Sequence, residues 1–222
     1  MDVLSNLVVA AIAVVFATGV LVWWLRRRAA FRSGLARRGW LWSQDGASTT
    51  VAPARGDWAV TMSRSFAAQM SPPSSHVVVS TWTSAVPRAA AGTLVIGPAP
   101  PPQLRDLAAE LMGSATPTMA HRLGIDRVTG GRPLSAVAQV DDRLLVFATG
   151  DYGPIGSLTA VADAISDWCA SYRGEREQPV VTVDESGVRV RVRTDVLRRV
   201  EQLDEFVALG TRCRDALGGS AG

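Results

Sequence analysis

The stretch VVTVDESGVRVRVRTDVLRRVEQLDEFVALGTRCRDAL, residues 180–217, decides the fold class because a β-hairpin and a helix follow each other directly. Valines alternate with polar residues on both sides of the turn DESG, which is the period of half-buried strands. After Thr194 or Asp195, either suited to cap a helix, apolar residues recur every three or four positions. The stretch therefore predicts two antiparallel strands and an amphipathic helix, whose apolar stripe is Val196, Val200, Leu203, Phe206, Val207, Gly210, Cys213 and Leu217.

An earlier part of the chain has the same order of elements. Residues 134–140 and 144–148 flank the turn DDR and predict a second hairpin, and residues 157–172 predict a helix with Ser157 as its N-cap. Duplication and chance similarity both stay open. Because neither hairpin nor helix can bury its apolar face alone, we expect an α+β fold, an antiparallel sheet with helices packed on one face.

The sequence signals for the remaining elements are weaker. Short extended segments precede the hairpins, and the prolines of GPAPPPQ then separate them from a predicted helix at residues 103–112. We expect one α+β domain over residues 39–217 and a flexible tail at 218–222. A single core and two cores divided near 113–130 both stay open. The extended segments are 40–43, 57–62, 76–83 and 93–96.

The N-terminal part of the chain carries an uncharged apolar run at residues 7–25. At a rise of ~1.5 Å per residue this run approaches the ~30 Å hydrocarbon core of a bilayer, so it predicts a transmembrane helix. A core helix is usually shorter, and a cleaved signal peptide carries its positive charge before the apolar run. The predicted membrane-interface residues are Trp23, Trp24, Arg26, Arg27 and Arg28.

The arginines after the run predict its orientation, because cytoplasmic flanks carry the excess of positive charge. We expect a single-pass protein of the plasma membrane with residues 1–6 outside. Residues 26–38 then form an arginine-rich juxtamembrane stalk, and the α+β domain is cytoplasmic. The small residues Ala13 and Ala17 also allow self-association through the span.

Composition excludes several chemistries. The sequence has no lysine, which excludes a P-loop lysine and Schiff-base catalysis. Cys169 and Cys213 lie too far apart for a redox or zinc motif, and His76 and His121 have no third ligand nearby. We therefore predict no metal and no cofactor. We also predict no nucleic-acid partner, because the domain lacks a clustered basic patch.

The glycine-rich loop GDYGPIGS is the candidate ligand site. It follows a predicted strand and opens a predicted helix, a geometry in which backbone N–H groups can hold an anion. A plain glycine- and proline-rich turn is the alternative interpretation. The candidate residues are Gly150, Asp151, Tyr152, Gly153, Gly156 and Ser157.

The layout resembles that of a set of uncharacterised, membrane-anchored actinobacterial proteins. The resemblance rests on the single span, the arginine-rich stalk, the pair Gly39–Trp40 and the closing strand–strand–helix segment. It implies a short α+β domain and no particular activity.

Two functions are consistent with the sequence. The first is a membrane-tethered, non-enzymatic protein-interaction module, a subunit or accessory factor of a larger membrane assembly, with the lipid bilayer and a protein as its partners. The alternative is a small-ligand sensor or an enzyme that uses the loop at residues 150–156.

Overall fold

The computed structural model describes residues 3–66, 76–85, 92–105, 110, 134–140, 142–149, 157–171 and 178–218. This part of the chain contains three α-helices, which we label α1 (Val3–Arg37), α2 (Leu158–Ser171) and α3 (Val200–Gly218). Two short 3-10 helices occupy Pro102–Leu104 and Val196–Arg198. The nine strands are β1 (Trp40–Asp45), β2 (Ser48–Pro53), β3 (Trp58–Phe66), β4 (His76–Ser84), β5 (Leu94–Pro98), β6 (Ser135–Val140), β7 (Leu144–Ala148), β8 (Val180–Asp184) and β9 (Gly187–Val192).

All nine strands form one antiparallel sheet in the order β1-β2-β3-β4-β9-β8-β5-β7-β6. Both predicted hairpins are present, β6–β7 and β8–β9. The tight turn of the second hairpin places Asp184 opposite Gly187, which has a positive φ of 124°. A residue without a Cβ adopts that conformation most easily. The period-two pattern therefore identified both hairpins correctly.

Helices α2 and α3 cover one face of this sheet. Alternate valines of β9, Val188, Val190 and Val192, point toward the helices and are buried in the same apolar cluster as Phe206 of α3 and Trp168 of α2. The predicted stripe of α3 is buried except for Val207, which is half-buried. Because the cluster also contains residues of β2, β3 and β7, the described part of the domain has one main core.

The two hairpin–helix units are not copies related by a rotation. The second strand of each hairpin, β7 or β9, lies on the β4 side of its first strand, yet β7 and β9 run in opposite directions. A rotation that superposes the hairpins must therefore exchange the two faces of the sheet. It would place α2 and α3 on opposite faces, whereas both pack on the same one. The two hairpin–helix units therefore share the order of their elements in the sequence but differ in handedness.

The predicted transmembrane helix is wrong. Among the described residues, no helix combines the length and the apolar composition needed to cross a membrane. The apolar run is part of the 35-residue helix α1, which continues through the arginines to Arg37 and packs on the domain through Leu35. The single-pass topology and the location at the plasma membrane were predicted from that span. Neither is supported without it.

Three smaller differences concern local signals. Strand β2 lies between the predicted segments 40–43 and 57–62 and was not predicted. The turn at Gly46, with a φ of 52°, joins it to β1. The sequence predicts one continuous helix from Val196. The structure instead has a 3-10 helix up to Arg198 and an extended backbone at Arg199, so α3 begins at Val200. Of the predicted helix 103–112, only residues 103–105 and 110 are described. The sub-division near 113–130 and the tail after Gly218 lie outside the described residues.

Candidate functional site

An arginine-lined cleft of about 530 Å³ lies between α1 and the segment that opens α3. We call it the α1–α3 cleft. Its walls combine positively charged side chains from two distant parts of the chain with apolar surface. The lining residues are Trp23, Arg27, Ala30, Phe31, Gly34, Arg37, Arg38, Arg198, Arg199, Val200 and Glu201.

Close contact between Gly34 and Val200 forms the narrow end of this cleft. A Cβ built at Gly34 would lie 2.7 Å from Val200 Cγ2, so a glycine is needed for the two helices to approach this closely. Leu35, the next residue, is 1% exposed and belongs to the main core. The last turns of α1 are therefore packed onto the domain rather than projecting from it.

Aromatic and ionic contacts hold the same end of α1. Phe31 meets Trp42 of β1 edge-on, with ring centroids 5.6 Å apart. Arg38 donates from Nε to Oδ1 of Asp204 at 2.7 Å, and its Nη2 donates to the other carboxylate oxygen. Hydrogen bonding to Asp204 raises the pKa of Arg38 above its ordinary value. The bidentate geometry fixes the guanidinium as well as pairing its charge.

The opposite wall is positioned by Ser80 of β4. Its buried hydroxyl donates to the Thr194 carbonyl at 2.6 Å and accepts from the Val196 N–H at 3.4 Å. Asp195 accepts from the Leu197 N–H at 3.0 Å and so caps the 3-10 helix. These bonds set where the following residues, Arg198 and Arg199, leave the sheet.

Positive charge dominates the cleft. Five arginines line it, Arg27, Arg37, Arg38, Arg198 and Arg199, against one carboxylate, Glu201. Arg38 is paired with Asp204, and Arg198 lies 4.0 Å from Asp195. In the described ranges, no carboxylate lies within 4.0 Å of the guanidiniums of Arg27, Arg37 or Arg199. All five arginines are solvent-exposed, so the unpaired charges are accessible.

The helix surface beyond the cleft is apolar on every side. From Ile12 to Leu25, α1 exposes large apolar side chains, including Phe16 at 73% and Val15 at 72%. Residues 20–25 are six consecutive positions, which cover the whole circumference of a helix. Contiguous exposed apolar surface of this kind marks an interaction site.

A second cleft, of about 510 Å³, lies at the end of β3 and β4 near the β8–β9 turn. The two charged residues that line it, Asp57 and Arg189, are each paired with a residue outside the lining. Arg214 contacts both carboxylate oxygens of Asp57 at 3.1 Å, and Ser84 donates to the same carboxylate at 3.1 Å. Arg189 likewise pairs with Asp184 at 3.1 Å. The contacts of Asp57 join the start of β3 and the end of β4 to α3, and the contact of Arg189 joins β9 to β8.

Of the predicted ligand loop, only Ser157 lies within the described residues. Its hydroxyl accepts from the Ala160 N–H at 3.3 Å, and its own N–H donates to the Ala216 carbonyl of α3 at 3.0 Å. Ser157 therefore caps α2, as predicted, and ties it to α3. The other candidate residues, Gly150, Asp151, Tyr152, Gly153 and Gly156, lie outside the described part.

The predicted membrane-interface residues include two arginine–tryptophan pairs within α1, and one of these pairs also lines the α1–α3 cleft. Arg27 and Arg28 lie over the rings of Trp23 and Trp24, at 5.4 and 5.3 Å from the ring centroids. Trp23 and Arg27 also line the α1–α3 cleft, and Arg27 donates to the Arg198 carbonyl at 3.5 Å. The interface role depended on the transmembrane span and has no support without it.

The two cysteines are free thiols on the inner faces of α2 and α3. Cys213 is fully buried, and burial raises the pKa of its thiol to about 12. Cys169 is half-buried, and burial raises its pKa too. Within the described residues, no group of three or more His, Cys, Asp or Glu side chains could hold a metal ion.

Sequence reasoning missed the α1–α3 cleft as a site. The sequence predicts a stalk over residues 26–38 and a continuous helix from Val196, and it assigns no role to Arg198 and Arg199. The available signal was two pairs of adjacent arginines, Arg37–Arg38 and Arg198–Arg199.

No known protein family, characterised protein or solved structure matches this chain. The resemblance to membrane-anchored actinobacterial proteins stays a prediction.

Proposed function

We propose that this protein is a protein-interaction module, a subunit or accessory factor of a larger assembly, that contacts its partner through the uncharged part of α1. The observation that carries the proposal is the exposure of large apolar side chains from Ile12 to Leu25. The partner surface is one or more apolar helices, because a helix that is apolar all round has to be covered on more than one side.

The free energies of burial and of association support an interaction through this segment. Moving one Val, Leu, Ile or Phe side chain out of water gains about 1.5–3 kcal/mol. Association costs roughly 4–15 kcal/mol in lost freedom of motion. Ten large apolar side chains of α1 are exposed by 42% or more, so covering them gains a free energy of the same order as that cost.

The domain is built to hold this helix in a fixed direction. Leu35 is buried in the main core, Phe31 packs on Trp42, and Arg38 is clamped by Asp204. A partner that packs on the apolar part of α1 is thereby positioned relative to the sheet and to the α1–α3 cleft.

The experiment is site-specific photo-crosslinking of the full chain in its native cells. A photoreactive amino acid replaces Phe16 in one variant and Leu41 in a control, because Leu41 is an apolar side chain on β1 with 61% exposure. We expect an adduct with one other protein from position 16 and none from position 41. Adding Val20→Glu, one helical turn from residue 16, should abolish that adduct.

Two results would contradict the proposal. One is an adduct formed only with lipid or only with a second copy of this chain. The other is an adduct whose yield Val20→Glu leaves unchanged, since the contact would then not depend on the apolar surface.

The alternative function, a ligand sensor or an enzyme at residues 150–156, stays a prediction. Ser157, the one candidate residue in the described part, is engaged as a helix cap.

A further inference from the structure

We infer that the α1–α3 cleft binds an acidic, carboxylate-bearing segment of the protein partner. This inference rests on the proposed function and specifies the chemistry of the second contact. The arginines that carry it lie outside the apolar part of α1, and Trp23 is the one residue of that part among the cleft's lining residues, so the two surfaces can be tested separately.

Charge complementarity is the first argument. The cleft holds five arginines and one glutamate, and three of the arginines have no carboxylate partner among the described residues. Like charges held this close repel one another, and an acidic ligand relieves the repulsion while it gains charge-assisted hydrogen bonds. Arginine presents a planar pair of donors that matches a carboxylate.

Preorganisation is the second argument. The two walls come from residues far apart in the chain, and three contacts fix their separation. These contacts are the close packing of Gly34 on Val200, the bidentate pairing of Arg38 with Asp204, and the hydrogen bond from Arg27 to the Arg198 carbonyl. A ligand therefore does not have to bring the walls together, which lowers the entropic cost of binding.

The lining favours a peptide over other polyanions. Ala30, Phe31 and Val200 contribute apolar surface between the guanidiniums, and Trp23 lies at the rim next to the exposed apolar part of α1. A peptide supplies both apolar side chains and carboxylates at short spacing. A phosphodiester backbone supplies charge alone, and its bases have a single indole here on which to stack.

The test measures binding to the full chain by fluorescence anisotropy with three labelled probes. They are a twelve-residue peptide of alternating Glu and Leu, a single-stranded oligonucleotide of equal charge, and vesicles of mixed neutral and anionic phospholipid. The cleft variant is Arg37→Glu/Arg199→Glu. Its control is Arg55→Glu/Arg193→Glu, which makes the same charge change at exposed arginines outside the cleft.

The expected result is that the peptide binds at least about tenfold more tightly than the other probes. The cleft variant should weaken peptide binding by about tenfold or more, roughly two lost charge pairs, while the control changes it little. Circular dichroism checks that both variants keep the fold.

Three outcomes would overturn the inference. They are equal weakening by the cleft and control variants, tighter binding of the oligonucleotide or the vesicles than of the peptide, and no peptide binding at low salt. The variant Val20→Glu separates this inference from the proposed function. It should prevent crosslinking through α1 and leave peptide binding unchanged, so either idea can fail while the other stands.

Discussion

The indole of Trp82 lies against the backbone of Gly210, so closely that a Cβ at position 210 would sit 2.1 Å from the indole Cδ2. Trp82 stands on β4 near the middle of the sheet, and Gly210 is in the middle of α3. Both are buried, Trp82 completely. This contact sets the distance between α3 and the sheet. It therefore also sets the position of the first residue of α3, Val200, relative to α1.

Replacing Gly210 by alanine should destabilise the protein despite the higher helix propensity of alanine. The added methyl group has no space, because three indole atoms lie within 2.6 Å of its position. Overpacking of this kind costs about 1–3 kcal/mol or more. Denaturant unfolding followed by tryptophan fluorescence measures the effect.

Gly218→Ala is the matched control for Gly210→Ala, since nothing lies within 4 Å of a Cβ at that position of the same helix. It should be neutral or stabilising by up to about 1 kcal/mol. Equal effects of the two substitutions would show that Trp82 does not set the helix–sheet distance.

Removing the Arg38–Asp204 ion pair should loosen the end of α1. We expect amide hydrogen exchange at residues 31–38 to become about two- to fivefold faster in Arg38→Ala and in Asp204→Ala, because the pair is exposed and partly screened by solvent. The double variant should exchange no faster than either single variant. Arg32→Ala, an exposed arginine of the same helix, should leave the exchange unchanged.

Burial of Cys213 should make stability fall with pH in the alkaline range. Its folded pKa of about 12 lies above the ordinary 9.0, so the unfolded chain releases the thiol proton first. Stability from this group is complete below pH 9 and is lost between pH 9 and 12, at about 1.4 kcal/mol per pH unit. The chain has no lysine and only two tyrosines, so few other groups titrate there.

The free energy of unfolding, measured from pH 8 to 10.5 in wild type and in Cys213→Ala, tests this pH dependence. The variant should lack the slope assigned to Cys213, whereas Cys169→Ala should retain it. A slope in Cys213→Ala as steep as that of the wild type would mean that another group causes the loss.

The test of the α1 surface is the loss of the adduct from position 16 when Val20 is changed to glutamate. The test of the α1–α3 cleft is the loss of peptide binding in Arg37→Glu/Arg199→Glu. Each has a control that keeps the same chemistry at an exposed position elsewhere, Leu41 for the first and Arg55 with Arg193 for the second.

Local sequence patterns predicted the elements whose signal lies within a few residues. The alternation of valines around Asp184 and Gly187 is enough for a hairpin, because strand pairing across a tight turn involves neighbours in sequence. The stripe of α3 and the capping role of Ser157 were predicted for the same reason. The transmembrane prediction failed although the apolar run was real, and strand β2 was missed because a turn signal was read as a longer loop.

The sequence by itself determined which segments form the two hairpins and the two packing helices, since periodicity and turn chemistry are local properties. Only the tertiary structure decided which strands become neighbours and that both helices share one face of the sheet. It also decided that Arg38 meets Asp204 from a distance of 166 residues along the chain. The physical reason is that such contacts arise from burying the apolar faces of all elements in a single core, and no local window of sequence contains that information.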